Sequence, residues 1–72
     1  MDNQAFLLTI GSRIRRIRTD KNMSQQVLAG LCNFEKSNMS RIERGKTNPT
    51  ILTLRIISTA LEVKLVDLLD HE

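Results

Sequence analysis

The sequence predicts an all-α fold, five helices packed compactly in one small domain spanning 1–72. Three observations carry that prediction. Apolar residues recur at steps of three and four in successive stretches, as on helices with one buried face. No stretch alternates apolar and polar residues as a half-buried strand would. The stretches are separated by helix stops and starts: Asn22 before Ser24, then Asn33, then Gly45, then Pro49 before Thr50.

The first helix is expected from about Asp2 to Lys21. Phe6, Ile10, Ile14 and Ile17, with Leu7 beside them, form its apolar stripe. Asp2 suits the N-cap and Asn22 a left-handed stop. Arg15 lies opposite the stripe, whereas Arg18 falls on its edge and needs a partner if its head is covered. Gly11 weakens the helix by about 1 kcal/mol relative to Ala, unless a neighbouring helix needs the room.

Ser24 caps a second helix over Gln25 to Leu31, with Val27, Leu28 and Leu31 as its apolar side. Asn33 sits in the following turn, where positive φ is wanted. A third helix is expected from about Glu35 to Arg44, stopped by Gly45, with Met39 and Ile42 inward and Phe34 packing at its entry. Lys46 to Pro49 form a loop, because Pro49 holds Asn48 extended. Thr50 caps a fourth helix, Ile51 to Leu61, whose stripe is Ile51, Leu54, Ile57 and Leu61. A short fifth helix at about 65–70 supplies Leu65, Leu68 and Leu69.

Composition narrows the function. A core of 72 residues gives only a few kcal/mol of net stability, which favours efficient helix packing and oligomerisation. The lone Cys32 rules out an internal disulfide and reads as a small buried apolar residue, not a redox switch. The lone His71 excludes a His-rich metal cluster and is expected frayed and exposed. The start MDNQAF has no basic segment followed by a long apolar run, and no stretch approaches a membrane span. The expected location is reduced and cytoplasmic. There is no catalytic triad, phosphate-binding loop or metal-ligand set, so neither an enzyme nor a cofactor is expected.

Net charge is only +3, but its distribution is uneven: basic residues crowd Arg13 to Lys21 and Lys36 to Lys46, and acids dominate after Glu62. That polarity suggests a basic face for a polyanion. On a wheel at about 100° per residue, Ser37, Ser40, Arg41 and Arg44 of the third helix point outward, with Lys36 at the margin. Ser37, Arg41 and Arg44, spaced i, i+4, i+7, form a row. Arg can reach guanine O6 and N7 through two parallel hydrogen bonds, and Ser can bond a base or a phosphate. Glu43 leans inward, where an unpaired carboxylate is costly. The expected partner is Arg18, tying the first helix to the third.

The segment 24–45, SQQVLAGLCNFEKSNMSRIERG, with IGSRIRRIR before it and KTNPTILTLRIISTALEV after it, resembles the phage-repressor type of helix-turn-helix domain. This is the Cro and lambda-repressor, or XRE-like, family. The resemblance spans about Ile10 to Leu69. It implies a lambda-repressor-like five-helix fold, double-stranded DNA as partner, and Arg18–Glu43 as the structural salt bridge. It further implies Gln25, Arg44 and Lys46 as phosphate contacts and Lys36, Ser37 and Arg41 as readers of base edges. Asn33 replaces the usual Gly. Glu35 replaces a small polar residue; it can accept from cytosine N4 or favour the helix's positive end, and the second reading is preferred. Glu62 and Lys64 replace the usual Gly and Ser/Thr, which leaves the position and cap of the fifth helix open.

The function expected is a sequence-specific transcriptional regulator acting as a homodimer on a (pseudo)palindromic operator. One recognition helix reads too few base pairs to single out a site, and two-fold pairing doubles the reading. Ile56, Leu65, Val66 and Leu69 are the candidates for the dimer interface. The alternative is a protein-interaction module such as an antitoxin whose main partner is a toxin. Restriction–modification controller, phage repressor and antitoxin are all compatible with the sequence.

Overall fold

Four of the five helices begin on a side-chain oxygen that accepts a hydrogen bond from the backbone at the helix's own start. The computed structural model describes residues 2–69, and within them the helices are α1 Asn3–Asp20, α2 Gln25–Cys32, α3 Lys36–Glu43, α4 Ile51–Leu61 and α5 Leu65–Leu69. Gln4 N donates to Asp2 Oδ1 at 3.0 Å, Val27 N to Ser24 Oγ at 3.0 Å and Thr53 N to Thr50 Oγ1 at 3.1 Å. At α5 the cap comes from inside the helix, with Lys64 N donating to Asp67 Oδ2 at 2.9 Å. Asp67 thus supplies the return half of a capping box where Lys64 cannot supply the first half. Only α3 starts uncapped: Glu35 holds its N-cap position, exposed, with no side-chain bond to the helix.

The first four helices all stop in the same way. Asn22, Asn33, Gly45 and Glu62 each take a left-handed conformation, at φ 58, 60, 69 and 59. The next residue's N–H donates back five positions: Met23 to Arg18 O, Phe34 to Ala29 O, Lys46 to Arg41 O and Val63 to Ser58 O, at 2.8–3.0 Å. This pattern satisfies carbonyls that a helix end would otherwise leave open.

The core collects Ile10 and Ile14 of α1, Leu28, Ala29 and Cys32 of α2, Met39 and Ile42 of α3, Leu54, Ile57 and Leu61 of α4, and Leu68 of α5. Helix α3 packs on α1 and α2, while α4 packs on α2 and α5, and α5 returns to α1. The third helix is one residue shorter at each end than expected, since Glu35 and Arg44 are its caps.

Two expectations about the core are corrected. Val27 and Leu31 are 52% and 60% exposed, so α2 buries Leu28, Ala29 and Cys32 instead of Val27, Leu28 and Leu31. The helix is turned so that Leu28 and Cys32, four apart, face inward with Ala29 beside them. Ile51, expected on the α4 stripe, is 62% exposed because it begins the helix beyond the edge of the core. The end of the fifth helix expected at residue 70, and His71, lie outside the described residues.

Candidate nucleic-acid interface

Helix α3 is held from behind by a glycine contact and a buried ion pair. A Cβ at Gly11 would lie 2.7 Å from the Glu43 carbonyl carbon, and closer still to the carbonyl oxygens of Ile42 and Glu43. Gly11 is therefore the room that α1 gives to the end of α3. Beyond it, Gly45 lies against the α1 backbone, where a Cβ would meet Leu8 Cα at 2.8 Å, and Gln4 Nε2 donates to Gly45 O at 3.1 Å.

Arg18 and Glu43 close the joint. Arg18 Nε donates to Glu43 Oε2 at 2.7 Å and Nη2 to Oε1 at 2.9 Å, a bidentate pair, and Nη1 donates to Met23 O at 2.9 Å. Gln25 Nε2 adds a third bond to the carboxylate, donating to Oε1 at 3.0 Å. With both side chains nearly covered, at 10% and 2% exposure, the carboxylate's charge is fully matched. Sequence reasoning missed the tie between Gln25 and Glu43. It follows from Gln25 standing at the start of α2, directly over the pair, and no spacing within one helix signals it. Since an amide carries two N–H groups, one remains for another acceptor.

In front of this joint stand the outward residues. Ser37, Arg41 and Arg44 are exposed along α3, flanked by exposed Lys36 and Lys46. Arg44 makes one long bond, Nε donating to Ser40 O at 3.4 Å. Among the described residues no carboxylate pairs with any of these cations, since the sole ion pair is Arg18–Glu43. A concavity of about 420 Å³ opens over that pair, lined among others by Arg15, Lys36, Arg44, Ser24 and Gln26. Arg15 and Gln26 were not among the expected contacts.

Of the candidate interface residues at the other end, Ile56 and Val66 are 37% and 56% exposed. Leu65 and Leu69 are half-buried against the chain's own core. Cys32 is buried, and desolvation pushes its thiol pKa up, which suppresses the reactive thiolate.

A short helix presenting Ser and Arg outward, braced by a second helix through a tight left-handed turn, defines a helix-turn-helix DNA-binding domain. Residues 14–68 match the helix-turn-helix family. The chain belongs to that family, in its phage-repressor (XRE) type, and is a DNA-binding transcriptional regulator. It is 44% identical over 71 residues to the control protein C.BamHI of Bacillus amyloliquefaciens, covering 97% of this chain and 86% of the relative. The fold superposes on the restriction–modification controller C.AhdI from Aeromonas hydrophila with a TM-score of 0.87 at 34% identity, over 89% of this chain and 97% of that one. The biofilm regulator SinR, solved in complex with DNA, matches at TM-score 0.79 and 42% identity, over 85% of this chain and 98% of that one. Among the described residues no helix is long and apolar enough to cross a membrane.

Proposed function

We propose that the protein works in the cytoplasm, without catalytic activity, as a homodimer that reads a (pseudo)palindromic operator through the major groove. The observation that carries this reading is the exposed Ser37–Arg41–Arg44 row, with no carboxylate partner among the described residues, on a helix locked at its base by Arg18 and Glu43. Lys36, Ser37 and Arg41 read base edges; Gln25, Arg44 and Lys46 hold phosphates. Gln25 does so with its amide already fixed by Glu43, so that its remaining N–H is aimed before DNA arrives. SinR, 42% identical to this chain, has been solved with DNA, and that kinship supports the same partner here.

Two helices reading successive grooves require a partner copy. Ile56 and Val66 offer exposed apolar surface for it, with the partly buried Leu65 and Leu69 completing the proposed interface.

Binding to duplexes selected from a random pool tests the reading. Arg41→Ala should relax preference at one base pair per half-site by roughly 1–3 kcal/mol. Lys46→Ala should weaken binding to all sequences and flatten the salt dependence. Were both variants to bind every duplex as the parent does, the groove reading would be wrong and a protein partner, such as a toxin, would take its place.

A further inference from the structure

The concavity above the Arg18–Glu43 pair gathers positive charge, and one of its cations, Arg15 of α1, has no part in the contacts assigned so far. Arg15, Arg18, Lys36 and Arg44 line it against a single carboxylate, Glu43. Both oxygens of that carboxylate are occupied, by two Arg18 bonds and one Gln25 bond. Four cations against one acid leave an excess of +3 around one opening of about 420 Å³. Arg15 and Arg44 also line a second, neighbouring concavity of about 450 Å³ with Arg16, Ser12 and Thr19 of α1. Arg15 and Arg44 are thus shared by both concavities. No acid among the described residues pairs with either one. Like charges gathered around one opening repel one another, and an anion bound there relieves that repulsion.

Ser24, Ser40 and Gln26, which carry hydroxyls and an amide, line the same opening. The set combines guanidinium forks, an ammonium, hydroxyls and an amide, the donors that recognise a tetrahedral oxyanion. We propose that a DNA backbone phosphate binds over the Arg18–Glu43 pair, and that Arg15 of α1 holds it together with Arg44. The proposal rests on the groove reading above. It extends the contact surface from the helix-turn-helix back onto α1, so that the pair bracing α3 also lies under a phosphate. Glu43 does not repel that phosphate, because its charge is spent on Arg18.

The test is the salt dependence of binding by the full chain to its selected duplex. Arg15→Gln should lower the magnitude of the slope of log K against log salt by about 0.9 per half-site, or about twice that for a dimer. Affinity should fall for all duplexes alike, with the selected motif unchanged. Arg15→Lys should keep most of the slope. Lys64→Gln, which also loses one charge but lines neither concavity, should leave it at the parent value. A slope for Arg15→Gln equal to that of Lys64→Gln overturns the proposal, as does a changed motif at unchanged slope. Arg44→Gln and Lys46→Gln keep the two failures apart. If they flatten the slope and Arg15→Gln does not, only the Arg15 site falls; if none does, the groove reading falls with it.

Discussion

Glu62 takes φ 59 at the end of α4 with a Cβ to accommodate, where Gly45 meets the same need at the end of α3 without one. The left-handed conformation costs a side-chain-bearing residue about 1–2 kcal/mol, less for Asn, which explains why Asn22 and Asn33 are tolerated. Glu62→Gly should therefore raise stability by up to about 1 kcal/mol, part of the gain being lost to the freer unfolded chain; a urea midpoint unchanged or lowered would refute this. Arg18 is the opposite case. Removing it leaves Glu43 buried with only Gln25 for a partner, at a cost of roughly 3–5 kcal/mol. Chemical denaturation of Arg18→Ala should show that loss. A change below about 1 kcal/mol, the range of an exposed pair, would mean that the carboxylate finds water.

Two glycines in neighbouring helices should answer an alanine in opposite ways. At Gly30, exposed on α2, an added Cβ meets nothing within 4 Å, so Gly30→Ala should stabilise by about 1 kcal/mol through helix propensity alone. At Gly11 the same methyl drives into the carbonyls of Ile42 and Glu43. Gly11→Ala should cost about 1–3 kcal/mol and weaken DNA binding more than the stability loss explains, because it displaces α3. Thermal melts beside binding curves separate the two effects; a Gly11→Ala protein binding as the parent does would show that α3 keeps its position. The facing of α2 teaches a related lesson. Val27, Leu28 and Leu31 form as good a helical stripe as Leu28, Ala29 and Cys32, and eight residues are too few for periodicity to choose. What chooses is the packing of α2 against α3 and α4, which exists only when all the helices are in place.

Across the molecule, the surface carries both exposed cations and exposed apolar side chains. Around α3 stand cations with no ion-pair partner among the described residues, while Val27 and Leu31 of α2, Leu52 and Ile56 of α4 and Val66 of α5 leave apolar surface uncovered. In a dimer, Val66→Asp should halve the sedimenting mass with helicity retained, since Val66 is 56% exposed and contributes little to its own core; an unchanged mass would exclude it from the interface. Leu69→Asp would be a poorer probe, because Leu69 packs on the chain's own core and its loss would mix unfolding with dissociation.

Apolar periodicity, cap residues and stops were enough for the five helices, and the wheel of the third helix was enough to turn Met39 and Ile42 inward and Ser37, Arg41 and Arg44 outward. Those features are local: each depends on residues within a turn or two of one another. The wheel also turned Glu43 toward the core, and chemistry then demanded a cation for it. What only the tertiary structure decided lies between helices: the rotation of α2, the fit of Gly11 under α3, the bond from Gln25 to Glu43, and the meeting of Arg15 with Arg44 over one concavity. Arg15 and Arg44 are 29 residues apart, and no spacing along the chain could bring them together. That takes the packing of α1 against α3, set by the summed burial of side chains from every helix at once.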